Sequence, residues 1–271
     1  MKNFFKLLNF ETNRFWNVFG FLATFTAVFQ LCNLFIMIHS FNENIRLASL
    51  EGANVAIEYG GFVLSQFTNS IWFIVPNIIS FTILGLYIFV IWYREWFGKS
   101  TFIYRLLMLP TSRITVYAAK LCTILLFTFG FLAWQVGLVY IEHIAAKALI
   151  SNSLYSTESN FSAYLNEPLS ILIPTTLTEF ILLYGFGAII VVVLFTAILF
   201  ERSYRWKGIA FAILYGLLVT VVLFAPFLVD VFFENLFYLS ELTLLTIVTG
   251  IMVIIASMLL SRHLLKYKVS V

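Results

Sequence analysis

Six runs of about twenty apolar residues divide this chain, and that is the length a helix needs to cross roughly 30 Å of hydrocarbon. They cover approximately 18–38, 71–93, 114–141, 177–200, 209–229 and 242–260. Hydrocarbon holds no water to bond a free peptide N–H or C=O, so each run must close its backbone bonds internally, as a helix. The composition agrees: at 62% hydrophobic and 11% charged, the chain has too few charges to coat a water-exposed surface. The expected fold is an all-α integral membrane protein, one transmembrane domain over 1–271.

Lysine and arginine set the expected orientation. Lys2, Lys6 and Arg14 precede the first run, and Arg94, Lys99, Arg105, Arg113 and Lys120 lie on or beside the second connection. Arg202, Arg205 and Lys207 occupy the fourth connection, and Arg262, Lys266 and Lys268 follow the last run. Only Arg46 and Lys147 fall in the alternate segments, which carry Glu43, Glu51, Glu58, Glu142, Glu158, Glu167, Glu179, Asp230, Glu234 and Glu241. Both termini are therefore expected in the cytoplasm, in agreement with an even number of spans. Lys120, inside the inner end of the third span, is expected to snorkel toward the headgroups. Trp16, Trp92, Tyr93, Trp96, Tyr204 and Trp206 on the inner side, and Trp72, Trp134 and Tyr140 on the outer side, read as interfacial anchors.

Ahead of the first span, Phe4, Phe5, Leu8, Phe15 and Trp16 recur at helical spacing with Lys2, Lys6 and Arg14 mostly off that face. Residues 1–17 are expected to form an amphipathic helix in the inner interface. The first run starts late, is too long for a signal-peptide core and has no small-residue cleavage site after it. Cys32 and Cys122 lie in apolar runs and read as small hydrophobes, not a disulfide framework. Long outer loops are expected at Ser40 to Ser70 and Glu142 to Thr176, with Asn160-Phe161-Ser162 in the second matching a glycosylation acceptor. Pro226 and the stretch Asp230 to Ser240 leave open a re-entrant hairpin or a plain loop. The basic residues form short clusters beside apolar runs, which is not the broad basic surface of a nucleic-acid binder.

The second connection contains Gly98-Lys99-Ser100, the last three residues of a phosphate-binding loop. The full motif needs a glycine five residues earlier and a strand before it. Tyr93 occupies that position, at the end of an apolar helix, and one glycine cannot shape a nest of amides around phosphates. The segment has another character. Phe102, Ile103, Leu106, Leu107 and Leu109 recur near i, i+3, i+4 and i+7 among the basic residues, Ser100 or Thr101 can cap the start, and Pro110 ends the run. A short amphipathic helix of this kind suits the lipid interface or a groove on a partner.

Tyr93-Arg94-Glu95, Gly98-Lys99-Ser100-Thr101, Leu106-Leu107-Met108-Leu109-Pro110-Thr111-Ser112-Arg113 and Ala119-Lys120-Leu121 together resemble the membrane subunit of bacterial ABC type-2 transporters. The resemblance implies a permease in the cell membrane with no nucleotide site of its own, so no cofactor in this chain and no enzyme activity. ATP and Mg²⁺ would belong to a separate cytoplasmic ABC ATPase. It implies that Glu95, Phe102, Ile103, Leu106, Leu107, Leu109, Pro110 and Arg113 couple that ATPase to the membrane helices. It also implies a second permease, identical or related, and short hairpin helices between spans five and six. The long outer loops depart from family members with a minimal outer face.

Gln30, Asn33, Asn77 and Gln135 are the candidate substrate path, weighed against ordinary helix–helix packing by small polar side chains. His39 with the Glu142-His143 pair is a minimal donor set for a metal, without a supporting spacing. No ionisable group is expected near mid-membrane, which disfavours a secondary carrier. Glu43, Glu51, Glu58, Glu158 and Glu167 would suit an accessory or immunity protein that captures cationic antimicrobial peptides, or simply solvated loops.

Overall fold

The computed structural model describes residues 2–50, 62, 64–97, 112–150, 174, 176–233 and 236–268. Their regular elements are helices: α1 (Lys2–Leu50), α2 (Leu64–Thr68), α3 (Ile71–Phe97), α4 (Arg113–Leu149), α5 (Leu177–Tyr204), α6 (Trp206–Phe232) and α7 (Leu239–Tyr267). All but α2 are long and apolar enough to cross a membrane, so the protein is a multi-pass membrane protein with six candidate spans.

Four expectations change in detail. Residues 1–17 do not form a helix separate from the first span, because α1 runs unbroken over 49 residues. Nothing from Asn13 to Val18 stops a helix, and Phe15 on the expected lipid face is buried instead, as is Glu11. At 1.5 Å per residue α1 is about 74 Å long, more than twice the hydrocarbon thickness, so its ends must leave the bilayer core. Residues 40–50, expected in the first outer loop, belong to α1. Residues 142–149, expected in the second, belong to α4. Between the last two spans, Pro226 sits inside α6, and only 233–238 separate Phe232 from Leu239. That leaves no length for the pair of hairpin helices that the family resemblance implies. Asp230 closes the connection by accepting the backbone N–H of Phe237 at 2.9 Å.

The chain divides into two compact units. The first comprises Met1–Thr12, Gly85–Leu125 and Leu177–Val271, and the second Asn13–Leu84 and Leu126–Thr176. In the first, α5, α6 and α7 share a core of Ile189, Val219 and Val253. Small and hydroxylated residues bring the helices together where hydrophobicity alone gives no preference over lipid. Thr196 and Ser261 hydroxyls meet at 2.9 Å, and Tyr215 and Ser257 at 2.5 Å. In the second unit, Leu34 and Ile38 of α1, Leu64 and Phe67 of α2, Phe73 of α3, Val139 and Ala146 of α4, and Phe62 ahead of α2 form one apolar cluster.

The α5–α6 connection is the tightest in the described chain. Arg205 alone joins the two helices, at φ 53° and ψ −128°, a region that side-chain-bearing residues rarely occupy. Its carbonyl accepts the N–H of Gly208 at 2.9 Å, and a Cβ on Gly208 would overlap the carbonyl of Phe200. Arg205→Gly is expected to raise stability by about 1 kcal/mol, the relieved strain less the added chain entropy. Gly208→Ala should lower it by about 1–3 kcal/mol through overpacking. Unfolding of the two variants in mild detergent checks both signs.

Candidate functional site

The charged residues that flank the 98–111 segment meet in the first unit. Ile91, Arg94 and Glu95 share one side of the last turns of α3 by their spacing of three and four. Lys120 arrives from the second turn of α4 and Glu11 from α1. Lys120 is fully buried. Its ammonium donates to Glu11 Oε1 at 2.6 Å and to the Ile91 carbonyl at 2.9 Å, and is ion-paired with Glu95 Oε1 at 2.8 Å. Glu11 Oε2 takes Arg94 at 3.4 Å. The indole of Trp92 lies 5.5 Å from the ammonium.

The expectation that Lys120 snorkels is therefore corrected. An ammonium carries three donors, and three protein oxygens surround it, so it need not reach water. Two carboxylates and two cations balance formally. That balance matters because one unpaired charge in such a place costs several kcal/mol, on the order of 3–5 when a partner is removed.

Around the cluster the helix ends are tied to their neighbours. The Tyr93 hydroxyl donates to Glu201, and the Arg202 guanidinium packs on the Tyr93 and Trp96 rings at 4.9 and 5.3 Å. Arg113 Nη1 donates to the Leu265 carbonyl at 2.7 Å, joining the start of α4 to the end of α7. Trp92 is buried edge-on against Phe195, beside Tyr117. Trp92 is thus a packing residue and not a lipid anchor, and the half-buried Tyr93 and Trp96 also serve packing. Their place in the last turns of a packed helix, not their polarity, decides this. Trp16, Trp72, Tyr140 and Trp206 are exposed.

Of the expected coupling residues, Glu95 belongs to the ionic cluster and Arg113 to the contact with α7. Phe102, Ile103, Leu106, Leu107, Leu109 and Pro110 lie outside the described residues, as does the Gly98-Lys99-Ser100 triplet.

The expected substrate path falls in the second unit and is only partly joined. Gln135 Nε2 donates to Gln30 Oε1 at 3.0 Å, with both side chains fully buried. Asn33 donates to Ser70 Oγ at 3.3 Å, and Asn77 donates to the Phe73 carbonyl of its own helix at 3.1 Å. Gln30 Nε2, Gln135 Oε1, Asn77 Oδ1 and Ser80 Oγ have no hydrogen-bond partner among the described residues. This pattern serves packing, since each side chain ties a turn or a helix pair, and it also leaves polar capacity for a guest.

Glu142 is the residue the sequence reading misplaced most. Expected in an outer loop, it is fully buried in α4, with neither carboxylate oxygen hydrogen-bonded among the described residues. Val139 and Ala146, one turn to either side, belong to the apolar cluster. The apolar spacing of Leu138, Val139, Ala146 and Ile150 continues the α4 stripe past residue 141 and was the available signal. His39, Glu142 and His143 do not assemble: among the described residues, no group of three or more His, Cys, Asp or Glu side chains could hold a metal. Glu43 faces solvent and pairs with Arg46 at 2.9 Å, while Glu51, Glu58, Glu158 and Glu167 lie outside the described residues.

Between α5, α6 and α7 lies a cavity of about 280 Å³, lined by Gly185, Ile189, Phe224, Phe227, Gly250 and Ile254 among others, with Thr246 the hydroxyl on its wall. Its lining suits alkyl or aromatic groups. No protein family, no characterised protein and no solved structure matches this chain.

Lys120→Met is expected to destabilise the protein by about 3–5 kcal/mol, because it leaves the buried carboxylates of Glu11 and Glu95 with Arg94 as the one cation of the cluster. Adding Glu11→Gln and Glu95→Gln should recover most of that loss. Denaturant unfolding of the single and triple variants decides whether the cluster is held by charge balance.

Proposed function

We propose that this chain is the membrane subunit of an ATP-driven exporter of the ABC type-2 kind, energised by a separate cytoplasmic ATPase. The observation that carries the reading is how the flanks of the 98–111 segment are mounted. At one end Glu95 enters a buried ionic cluster, and at the other Arg113 is bonded to α7. A segment that receives force from a partner needs stiff attachments at both ends, and these two reach α1, α3, α4 and α7. The apolar stripe of Phe102, Ile103, Leu106, Leu107 and Leu109 supplies a face for a groove on the ATPase.

In this reading the basic ends of the helices face the cytoplasm of a bacterial cell, with both termini inside. Two permeases, identical or related, each receive one ATPase, and ATP and Mg²⁺ stay on that partner. Closure of the ATPases moves the docked segments and biases the helices between inward and outward access. The cargo is hydrophobic or amphipathic (a peptide, lipid or drug). The apolar cavity among α5, α6 and α7 and the uncharged amides Gln30, Asn33, Asn77 and Gln135 support that class.

A second reading, a secondary carrier, is favoured by one observation. Glu142 is an ionisable group buried within a long apolar helix without a partner among the described residues, and such groups mark proton or ion pathways.

The variants Leu106→Asp and Leu107→Asp separate the two. In the exporter, each should cut transport-coupled ATP hydrolysis by about tenfold or more and release the ATPase from detergent pull-downs, while unfolding stays unchanged. Glu142→Gln should leave ATP-driven transport intact. Transport that needs no ATP, survives both acidic substitutions and stops with Glu142→Gln would establish the carrier instead.

A further inference from the structure

We propose that a basic groove where α4 begins and α7 ends binds the phosphate of an anionic lipid headgroup. The groove encloses about 380 Å³ and is lined by Ser112, Arg113 and Ile114 on one side and Arg262, Leu265 and Lys266 on the other. All six belong to the first unit. Three of them are cations and none is an acid.

The charges are arranged against their own electrostatics. Arg262 and Lys266 stand four apart on one exposed face of α7, the spacing at which like charges repel. Neither has a carboxylate partner among the described residues. The opposite face of the same turns is buried through Ser261, Leu264 and Leu265, so α7 cannot turn these two charges away from Arg113 without exposing its core. Arg113 adds a third charge from the other wall, oriented by its bond to Leu265. Such convergence is relieved by an anion.

The first turn of α4 adds to the effect. Ser112 precedes the helix, and its carbonyl accepts the Thr115 N–H at 2.8 Å. The first N–H groups of a 37-residue helix carry the positive end of its dipole beside the groove. Guanidinium and ammonium groups together match phosphate, the first by paired donors and the second as a point charge. The source follows from location, since basic pockets between helix ends at a membrane surface meet anionic headgroups at high local concentration. The inference rests on the membrane reading of the chain and on the cytoplasmic placing of these ends, but not on transport.

The test uses the full chain in nanodiscs of phosphatidylcholine, with or without phosphatidylglycerol. Both leaflets then carry the same lipid, so failure speaks to the groove and not to orientation. Thermal unfolding is read for wild type, for Arg262→Gln with Lys266→Gln, and for Lys207→Gln with Lys268→Gln, which removes equal charge outside the groove. Phosphatidylglycerol is expected to raise the wild-type Tm by several degrees, and native mass spectrometry should find it retained. The groove pair should lose both effects, and the control pair should keep them. Equal loss in the two double variants would overturn the site in favour of diffuse attraction. No preference for phosphatidylglycerol in the wild type would overturn it outright. The same Tm rise from inorganic phosphate in pure phosphatidylcholine would overturn the lipid as source.

Discussion

A peptide group inside hydrocarbon has no water to turn to, and that scarcity of partners organises this protein at every level. It makes each long apolar run a helix, and it keeps α6 helical through Pro226 to Phe232. It also decides what the side chains do. Thr12, Thr24, Thr26, Thr82, Thr123 and Thr220 all return their hydroxyl protons to a carbonyl four residues back on their own helix. A hydroxyl that would compete with the helix in water supports itself on it here.

The same scarcity explains the ionic cluster. Lys120 is tolerable because Glu11, Glu95 and the Ile91 carbonyl satisfy it together. Removing Lys120 leaves two carboxylates with one cation, Arg94, and removing either carboxylate leaves two cations with one acid. The cluster therefore fixes the ends of three helices relative to one another more strictly than apolar packing does, since apolar side chains can repack at modest cost. In sequence, its α3 and α4 members flank the segment through which we propose the ATPase acts. Stiffness at that point and coupling through it are compatible demands, because force applied to a loose attachment would be dissipated locally.

The α5–α6–α7 bundle meets a different demand. Lipid tails are as apolar as leucine, so these helices associate through close approach and hydroxyl contacts. Gly250 allows α7 to lie against Ile189, where a Cβ would come within 2.9 Å of Cδ1. Gly185 and Gly250 also open the apolar cavity among the three helices. Close approach and an empty apolar space come from the same residues, so filling one affects the other.

Hydropathy and charge pattern determined the helical class, the six spans and the cores of each, because each of these depends on residues near in sequence. They also marked Lys120, Glu95, Arg113, Gln30 and Gln135 as polar residues in or beside spans. Partners were not legible, because Glu11 and Lys120, or Gln30 and Gln135, are more than a hundred positions apart and nothing local couples them. Local polarity misread Lys120 as snorkelling, Trp92 as a lipid anchor and Glu142 as a loop residue. A charge or an indole ring carries no mark of whether its neighbour is lipid, water or another helix. Only tertiary packing decides that, because burial and pairing belong to the surroundings of a side chain and not to the side chain itself.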